Sequence, residues 1–152
     1  MALAGSLDRL AHVRALEAEQ SLATLEAAIN EVRQLQYALA LAQQQAKAGR
    51  ELIHCSAQTG ELVDRLAGIE ELRKSRKAIA TMEGDLVVVE ATATEVREVY
   101  LARRMERQQA EALVKEARTQ EERLMTRRSQ QEVEDWHRAQ QMREAPLQSP
   151  AE

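Results

Sequence analysis

The chain has 152 residues, a net charge of −4 and a pI near 5.5, and only 2% of its residues are aromatic. Aromatic side chains bury the largest area per residue, so this composition excludes a thick globular core. An apolar fraction of 44% is too high for a simply disordered chain. Abundant Ala, Leu, Glu, Gln and Arg are typical of long helices and coiled coils.

Charge, cysteine content and the lengths of the apolar runs indicate the cellular compartment and argue against some classes of partner. Lys and Arg are spread among acids, which argues against nucleic-acid binding. Cys55 is the only cysteine, so no intrachain disulfide forms and a reducing compartment fits. The N-terminus has no basic region followed by an apolar run, and no apolar run reaches membrane-spanning length. We therefore expect a cytoplasmic protein without direct membrane insertion.

The first predicted element is a helix over residues 6–55. Ser6 is a candidate N-cap. Asp8 would then lie in the first turn, where the helix dipole favours a negatively charged side chain. Apolar residues follow at spacings near three and four, which places them on one helix face. This first stripe comprises Leu3, Leu7, Leu10, Val13, Leu16, Leu22, Leu25, Ile29, Val32, Leu35, Leu39, Ala42, Ala46 and Ile53.

A loop is predicted at residues 56–60, where Ser, Thr and Gly cluster between two apolar periodic segments. Thr59 is a candidate N-cap for a second helix over residues 61–144, and Gly68 could separate a short first turn from the rest. The valines at 87–89 alone would suggest a strand, but their flanks are helical. Pro146 and Pro150 indicate a disordered tail at 146–152.

The second helix carries an apolar stripe that weakens towards its C-terminal end. The stripe comprises Leu62, Leu66, Ile69, Leu72, Ile79, Met82, Leu86, Val89, Ala93, Val96 and Tyr100, then Ala110, Val114, Ala117 and Leu124. A short connection favours antiparallel neighbours. The sequence therefore predicts an all-α fold of one domain, residues 1–145. Two long helices would form an antiparallel coiled-coil hairpin, and the second would overshoot the first by some 20 to 30 residues.

No catalytic, cofactor-binding or metal-binding constellation is predicted. The five glycines form no phosphate-binding loop. His54 and Cys55 are adjacent, so on a helix they point in different directions and make a poor metal pair. A two-helix hairpin also offers no deep concave site for a substrate. We expect a non-enzymatic protein without cofactors that acts by binding other proteins.

The sequence resembles a known family at its two ends. Glu134, Asp135 and Trp136 place two acids before an aromatic residue, and Met142-Arg143 follows six and seven residues later. The start reads Leu7-x-x-Leu10-x-x-Val13-Arg14, then Glu17, Leu22 and Leu25. Together with the break near residue 57 and the longer second helix, these motifs resemble the type III export ATPase stalk family, of the flagellar FliJ and virulence YscO type. Two positions depart from the flagellar pattern. Trp136 stands where that pattern has Phe, and Arg138 is one residue nearer the aromatic residue than the Arg of that pattern.

The resemblance implies a central stalk that inserts its paired termini into a hexameric export ATPase. Its loop end would face an export gate protein at the membrane, and it would also handle export chaperones. The implied ATPase-binding residues are Arg9, Arg14, Glu134, Asp135, Trp136, Met142 and Arg143. The implied gate-binding residues are Leu66, Ile69, Leu72, Arg76 and Ile79.

Two alternatives stay open at this point. The chain could be a generic cytoplasmic coiled-coil scaffold or a chaperone-type adaptor, which would form a stable dimer through the overhang. Trp136 could be a binding hot spot, a role in which Trp is enriched, or it could pack on neighbouring side chains of its own helix. The sequence does not distinguish a flagellar from a virulence system.

Overall fold

The computed structural model describes residues 2–146 and consists of two helices, α1 (Ala2–Thr59) and α2 (Leu62–Glu144). The helices pack against each other as an all-α hairpin, and the described residues contain no strand. The second helix is the longer, with 83 residues against 58. The predicted fold class is confirmed. Of the predicted tail, residues 147–152 lie outside the described residues.

The connection is shorter than the predicted loop. Helix α1 continues to Thr59, whose hydroxyl donates to the carbonyl of Cys55, so Thr59 is the last residue of α1 and not the N-cap of α2. Gly60 has a φ of 77° and its N–H donates to the carbonyl of Ser56 at 2.8 Å. Glycine reaches this left-handed conformation at little steric cost and commonly ends a helix there.

Helix α1 also begins before the predicted cap. Ala2 is its first residue, which places Ser6 inside the first turns. Gly68 does not interrupt α2 either, because the helix is continuous from Leu62. The predicted helix over the valines at 87–89 is present.

The chain forms two compact units: residues 15–106, and residues 1–14 together with 107–152. Each unit contains a segment of both helices. In each segment the less exposed residues recur at alternating spacings of three and four. This heptad repeat keeps one face of each helix against the other.

In the unit of residues 15–106, the seam between the helices is thin because many of its residues are small. Leu25 is its largest buried hydrophobic side chain. The other buried residues are Ala18, Ala42, Ala46, Gly49 and Ser56 on α1 and Gly68 and Ser75 on α2. Between them the seam uses half-buried residues such as Leu35, Leu39, Leu72 and Val89. Such a seam lets the two backbones approach closely.

The approach is closest where Gly49 faces Gly68. A Cβ placed on Gly68 would stand 2.9 Å from the carbonyl oxygen of Gly49 and 3.1 Å from the backbone N of Ile53. A Cβ on Gly49 would stand 3.1 Å from the carbonyl oxygen of Gly68. We call this pair the glycine crossing. Gly68 is required by the packing of the two helices and not by a break in α2.

The structure corrects the first predicted stripe. Leu10, Val13, Leu16, Leu22 and Ile29 are exposed, whereas Ala11, Arg14, Ala18 and Ser21 occupy or border the seam. The register set by Leu25, Val32 and Leu39 continues backwards in steps of seven through Ala18 and Ala11. Regular heptad geometry and small side chains outweigh the larger apolar residues beside them. Correspondingly, Leu62, Leu66 and Ile69 of the second stripe are exposed, while its members from Leu72 to Ala117 are not.

Candidate functional site

The free end of α2 carries most of the residues implied to bind an ATPase. In the unit of residues 1–14 and 107–152, Glu121 is the last half-buried residue of α2, and every residue from 122 to 146 is exposed. This segment, residues 122–146, is the overhang. Asp8, near the beginning of α1, accepts a hydrogen bond from Arg118 at 2.9 Å. This contact shows which part of α2 lies beside the beginning of α1.

Trp136 lies on the overhang with 61% of its surface exposed. Its ring meets that of His137 edge-on, with centroids 5.1 Å apart. Glu134 forms a long ion pair with Arg138 at 4.0 Å. Trp is enriched among the residues that dominate binding energy, so Trp136 is a candidate contact residue of the overhang.

The motif residues point in several directions around the overhang. At about 100° per residue, Trp136 and Arg143 share one face. Asp135 and Met142 share a second face, and Glu134 lies nearly opposite Trp136. All five side chains are exposed. A single flat partner could contact only some of them, whereas a partner that surrounds the helix could contact all.

The two implied residues of α1 do not join this group. Asp8 pairs with Arg118, so Arg9 and Arg14 lie beside the part of α2 at and before that residue. Trp136 is 18 residues farther along α2, or about 27 Å at the helical rise. Arg9 is exposed and Arg14 is half-buried. The structure therefore separates the ATPase-binding set into the overhang residues and a pair of arginines lower on the hairpin.

The residues implied to bind the gate also divide in two. Leu72 and Ile79 are half-buried seam residues, while Leu66, Ile69 and Arg76 are exposed at the beginning of α2. Leu62 precedes them on the same strip and is 64% exposed. The exposed apolar strip is thus Leu62, Leu66 and Ile69, followed by Arg73 and Arg76 one heptad later.

Two local charge contacts shift pKa values at this end of the hairpin. Arg73 donates two hydrogen bonds to Glu70, at 2.7 and 3.0 Å. These bonds, and then the positive charges of Arg73 and Lys74, lower the pKa of Glu70. The pKa of Glu61 is raised, first by a hydrogen bond with Asp64 and then by repulsion between the two carboxylates.

The seam contains charged residues near the N-terminal end of α1. In the unit of residues 15–106, Arg103 donates to Glu17 across the helices at 3.4 Å and to Glu106 at 3.2 Å. In the other unit, Arg107 donates to Glu111 at 2.8 Å. These partly exposed pairs are worth little individually, and of the three only the pair of Arg103 with Glu17 joins the two helices.

Sequence reasoning missed two shallow grooves between the helices of the unit of residues 15–106. One is lined by Ser21, Thr24, Val96 and Val99, and the other by Leu35, Ala38, Val88 and Val89. Each groove has a carboxylate from each helix, Glu17 and Glu95 in the first and Glu31 and Asp85 in the second, and Arg103 also lines the first. Sorting the charged residues by heptad position, instead of counting them along the chain, would have revealed this arrangement.

Two further properties bear on function. Neither described helix has an apolar stretch long enough to cross a membrane. Among residues 2–146, no three His, Cys, Asp or Glu side chains gather as metal ligands would.

The fold defines the class of the protein as a helical hairpin whose second helix is longer than the first. No protein-family model matches the chain, and comparisons with curated proteins and with solved structures find no match.

Proposed function

We propose that this protein is a central stalk of a type III secretion or flagellar export apparatus, docking in a hexameric export ATPase. The observation that carries the proposal is the overhang, which is exposed on all sides and carries Glu134, Asp135, Trp136, Met142 and Arg143. A ring that encloses a helix can contact side chains on every face of it. The spacing of the two acids, Trp136 and Met142-Arg143 resembles that of the stalk family, and the fold is the hairpin that this resemblance implies.

In this role the protein acts without catalysis, in the cytoplasm and beside a membrane export machine. The hairpin holds the overhang on α2, and the loop end presents Leu66, Ile69 and Arg76 to an export gate protein. Export chaperones are further partners that the resemblance implies. Arg9 and Arg14 lie too far down the hairpin to share the contact site of Trp136, so they would contact a different part of the same ring.

The test is Trp136→Ala, measured for binding to the export ATPase of the same genome and for stimulation of ATP hydrolysis. Loss of a hot-spot Trp costs at least about 2 kcal/mol of binding, or roughly a 30-fold weaker affinity. The hairpin should keep its Tm, because Trp136 buries little against it. Tyr37→Ala is the matched control, since Tyr37 is 74% exposed but lies on α1 away from the overhang.

The outcome that contradicts the proposal is a Trp136→Ala protein that melts earlier and still stimulates the ATPase. The competing scaffold function predicts a stable homodimer that this variant dissociates. Sedimentation of the wild-type chain alone separates these functions, because the stalk is expected to be a monomer before it meets the ring.

A further inference from the structure

The two grooves lie on one face of the hairpin within residues 15–106. The lining residues of α1 in the first groove, such as Glu17 and Thr24, recur 14 residues later as Glu31 and Ala38 in the second. A shift of 14 residues is two heptads, which returns a side chain to the same face of a coiled-coil helix. We call this side of the unit the groove face.

The groove face carries an excess of negative charge. Its lining positions that flank the seam, extended in steps of seven through residues 15–106, all of which the structure describes, hold seven acids and one base. The acids are Glu17, Glu31, Asp64, Glu71, Asp85, Glu95 and Glu106, and the base is Lys74. Arg103, at a seam position, also lines the first groove and donates to Glu17 and Glu106.

The equivalent flanking positions on the opposite face of the same unit have seven bases and four acids. The bases are Arg33, Lys47, Arg50, Arg73, Arg76, Arg97 and Arg104, and the acids are Glu19, Glu26, Glu83 and Glu90. The even mixture of charges along the sequence therefore resolves into two faces of opposite sign, and both grooves lie on the acidic one.

The floor of the groove face suits a helix. Ala38, Thr24 and Ser21 are small, and Val88 and Val99 are 64% and 52% exposed. A hydrophobic side chain laid between α1 and α2 would cover these valines, as a third helix does in a coiled coil. Glu31 on α1 and Asp85 on α2 line the same groove from its two sides, as Glu17 and Glu95 line the other.

We propose that the groove face docks a basic amphipathic helix of a partner protein. Its apolar side would lie on Val88, Val99 and the small residues, and its flanking Lys or Arg side chains would meet the carboxylates on the rims. Charge complementarity selects this occupant. An acidic helix would place like charges beside Glu31, Asp85 and Glu95, and a neutral helix would offer these carboxylates no counter-charge. This surface shares no residue with the overhang, so the proposal does not depend on the proposed stalk function.

The test uses two synthetic amphipathic helical peptides with the same leucine pattern, one flanked by arginines and the other by glutamates. Binding to the full chain is measured by titration calorimetry at low and high salt. The arginine peptide is expected to bind, more weakly as salt rises, with amide NMR shifts centred on Thr24, Val88 and Val99. The glutamate peptide is expected not to bind.

A triple variant tests the location. Glu31→Gln with Asp85→Asn and Glu95→Gln removes three exposed rim carboxylates. This triple variant should weaken binding of the arginine peptide about tenfold, because each exposed ion pair contributes modestly. The matched control, Glu26→Gln with Glu83→Gln and Glu90→Gln, makes the same change in net charge on the opposite face and should leave the affinity within about twofold.

Three results overturn the proposal. The first is equal weakening by both triple variants, which means attraction by net charge alone. The second is binding of the glutamate peptide as tight as that of the arginine peptide. The third is binding of neither peptide to the wild-type chain. Trp136→Ala has no effect on peptide binding if the groove face is the site, which keeps this test separate from that of the stalk.

Discussion

Glycine has two opposite roles in this protein, and the surroundings of each residue decide which applies. A helix-interior glycine is less stable than alanine by up to about 1 kcal/mol. Gly84 has nothing within 4 Å of where a Cβ would stand, whereas Gly68 has two backbone atoms within 3.1 Å. The first glycine is only an entropic cost, and the second allows the helices to meet.

We therefore predict that Gly68→Ala lowers the free energy of unfolding by about 1–3 kcal/mol, the range for overpacking a close contact. Gly84→Ala should raise it by up to about 1 kcal/mol. Urea denaturation followed by circular dichroism measures both variants. If Gly68→Ala were as stable as Gly84→Ala, the backbones at the glycine crossing would not be in contact.

The contact between Arg73 and Glu70 predicts a pH response at the scale of one side chain. Because the pKa of Glu70 is lowered in the folded protein, its contribution to stability is present above its pKa in the unfolded chain. That contribution is lost as pH falls through the lower pKa of the folded state. The pKa of Glu61 is raised, so its contribution to stability is present below its pKa in the unfolded chain. That contribution is lost as pH rises through the pKa of the folded state.

Arg73→Gln should return the pKa of Glu70 upwards, towards its ordinary value, because the two hydrogen bonds disappear. NMR titration of the Glu70 carboxyl carbon measures this directly. Arg76→Gln is the control, since Arg76 is exposed and does not contribute to the shift of Glu70. An unchanged Glu70 titration in Arg73→Gln would show that the pair does not persist in solution.

At the scale of a helix, α2 is two segments with different supports. As far as Glu121, α2 packs against α1. In the unit of residues 1–14 and 107–152, Ala110 is buried at 4% exposure, and Val114 and Ala117 are half-buried. Beyond Glu121 only local helical contacts remain. Most helical stability in proteins comes from tertiary packing, so the overhang should be less stable than the part of α2 that packs against α1.

This division predicts the effect of truncation. A chain that ends at Glu121 should keep its Tm within about 2 °C, because the removed residues bury nothing against the hairpin. A chain that ends at Gln109 also loses Ala110, Val114 and Ala117 and should melt several degrees earlier. Scanning calorimetry of the two chains compares them. A large loss of Tm in the first would place the overhang in contact with the rest of the protein.

At the scale of the whole molecule, hydrophobic periodicity was sufficient to predict the hairpin. Two long stripes and one Ser/Thr/Gly break specify two helices and a turn, and the second stripe matches the seam from Leu72 to Ala117. The register of the first stripe was not predictable by apolar content, because Ala18 and Ser21 take seam positions while Leu16 and Leu22 are exposed. Size, and not hydropathy, decides which residues fit between closely spaced helices.

The candidate surfaces were predictable to different degrees. The overhang followed from the unequal lengths of the stripes, and its motif from residue spacing. The separation of Arg9 and Arg14 from Trp136 required the helix pairing, which the ion pair of Asp8 with Arg118 provides. The groove face required both the pairing and the heptad register, since its carboxylates come from two segments distant in the sequence.

The two-residue connection between α1 and α2 also has a consequence for the order of folding. Gly49 and Gly68 are close to the turn in sequence, whereas Arg103 pairs with Glu17 over 86 residues and Arg118 with Asp8 over 110. The entropy lost on closing a loop grows with its length, so contacts nearest the turn should form first and the rest should zip up from them. Stopped-flow kinetics should give Ile53→Val a φ-value above about 0.5 and Val114→Ala a value near zero. The reverse order would mean that the pairing begins at the chain ends, and that the turn closes last.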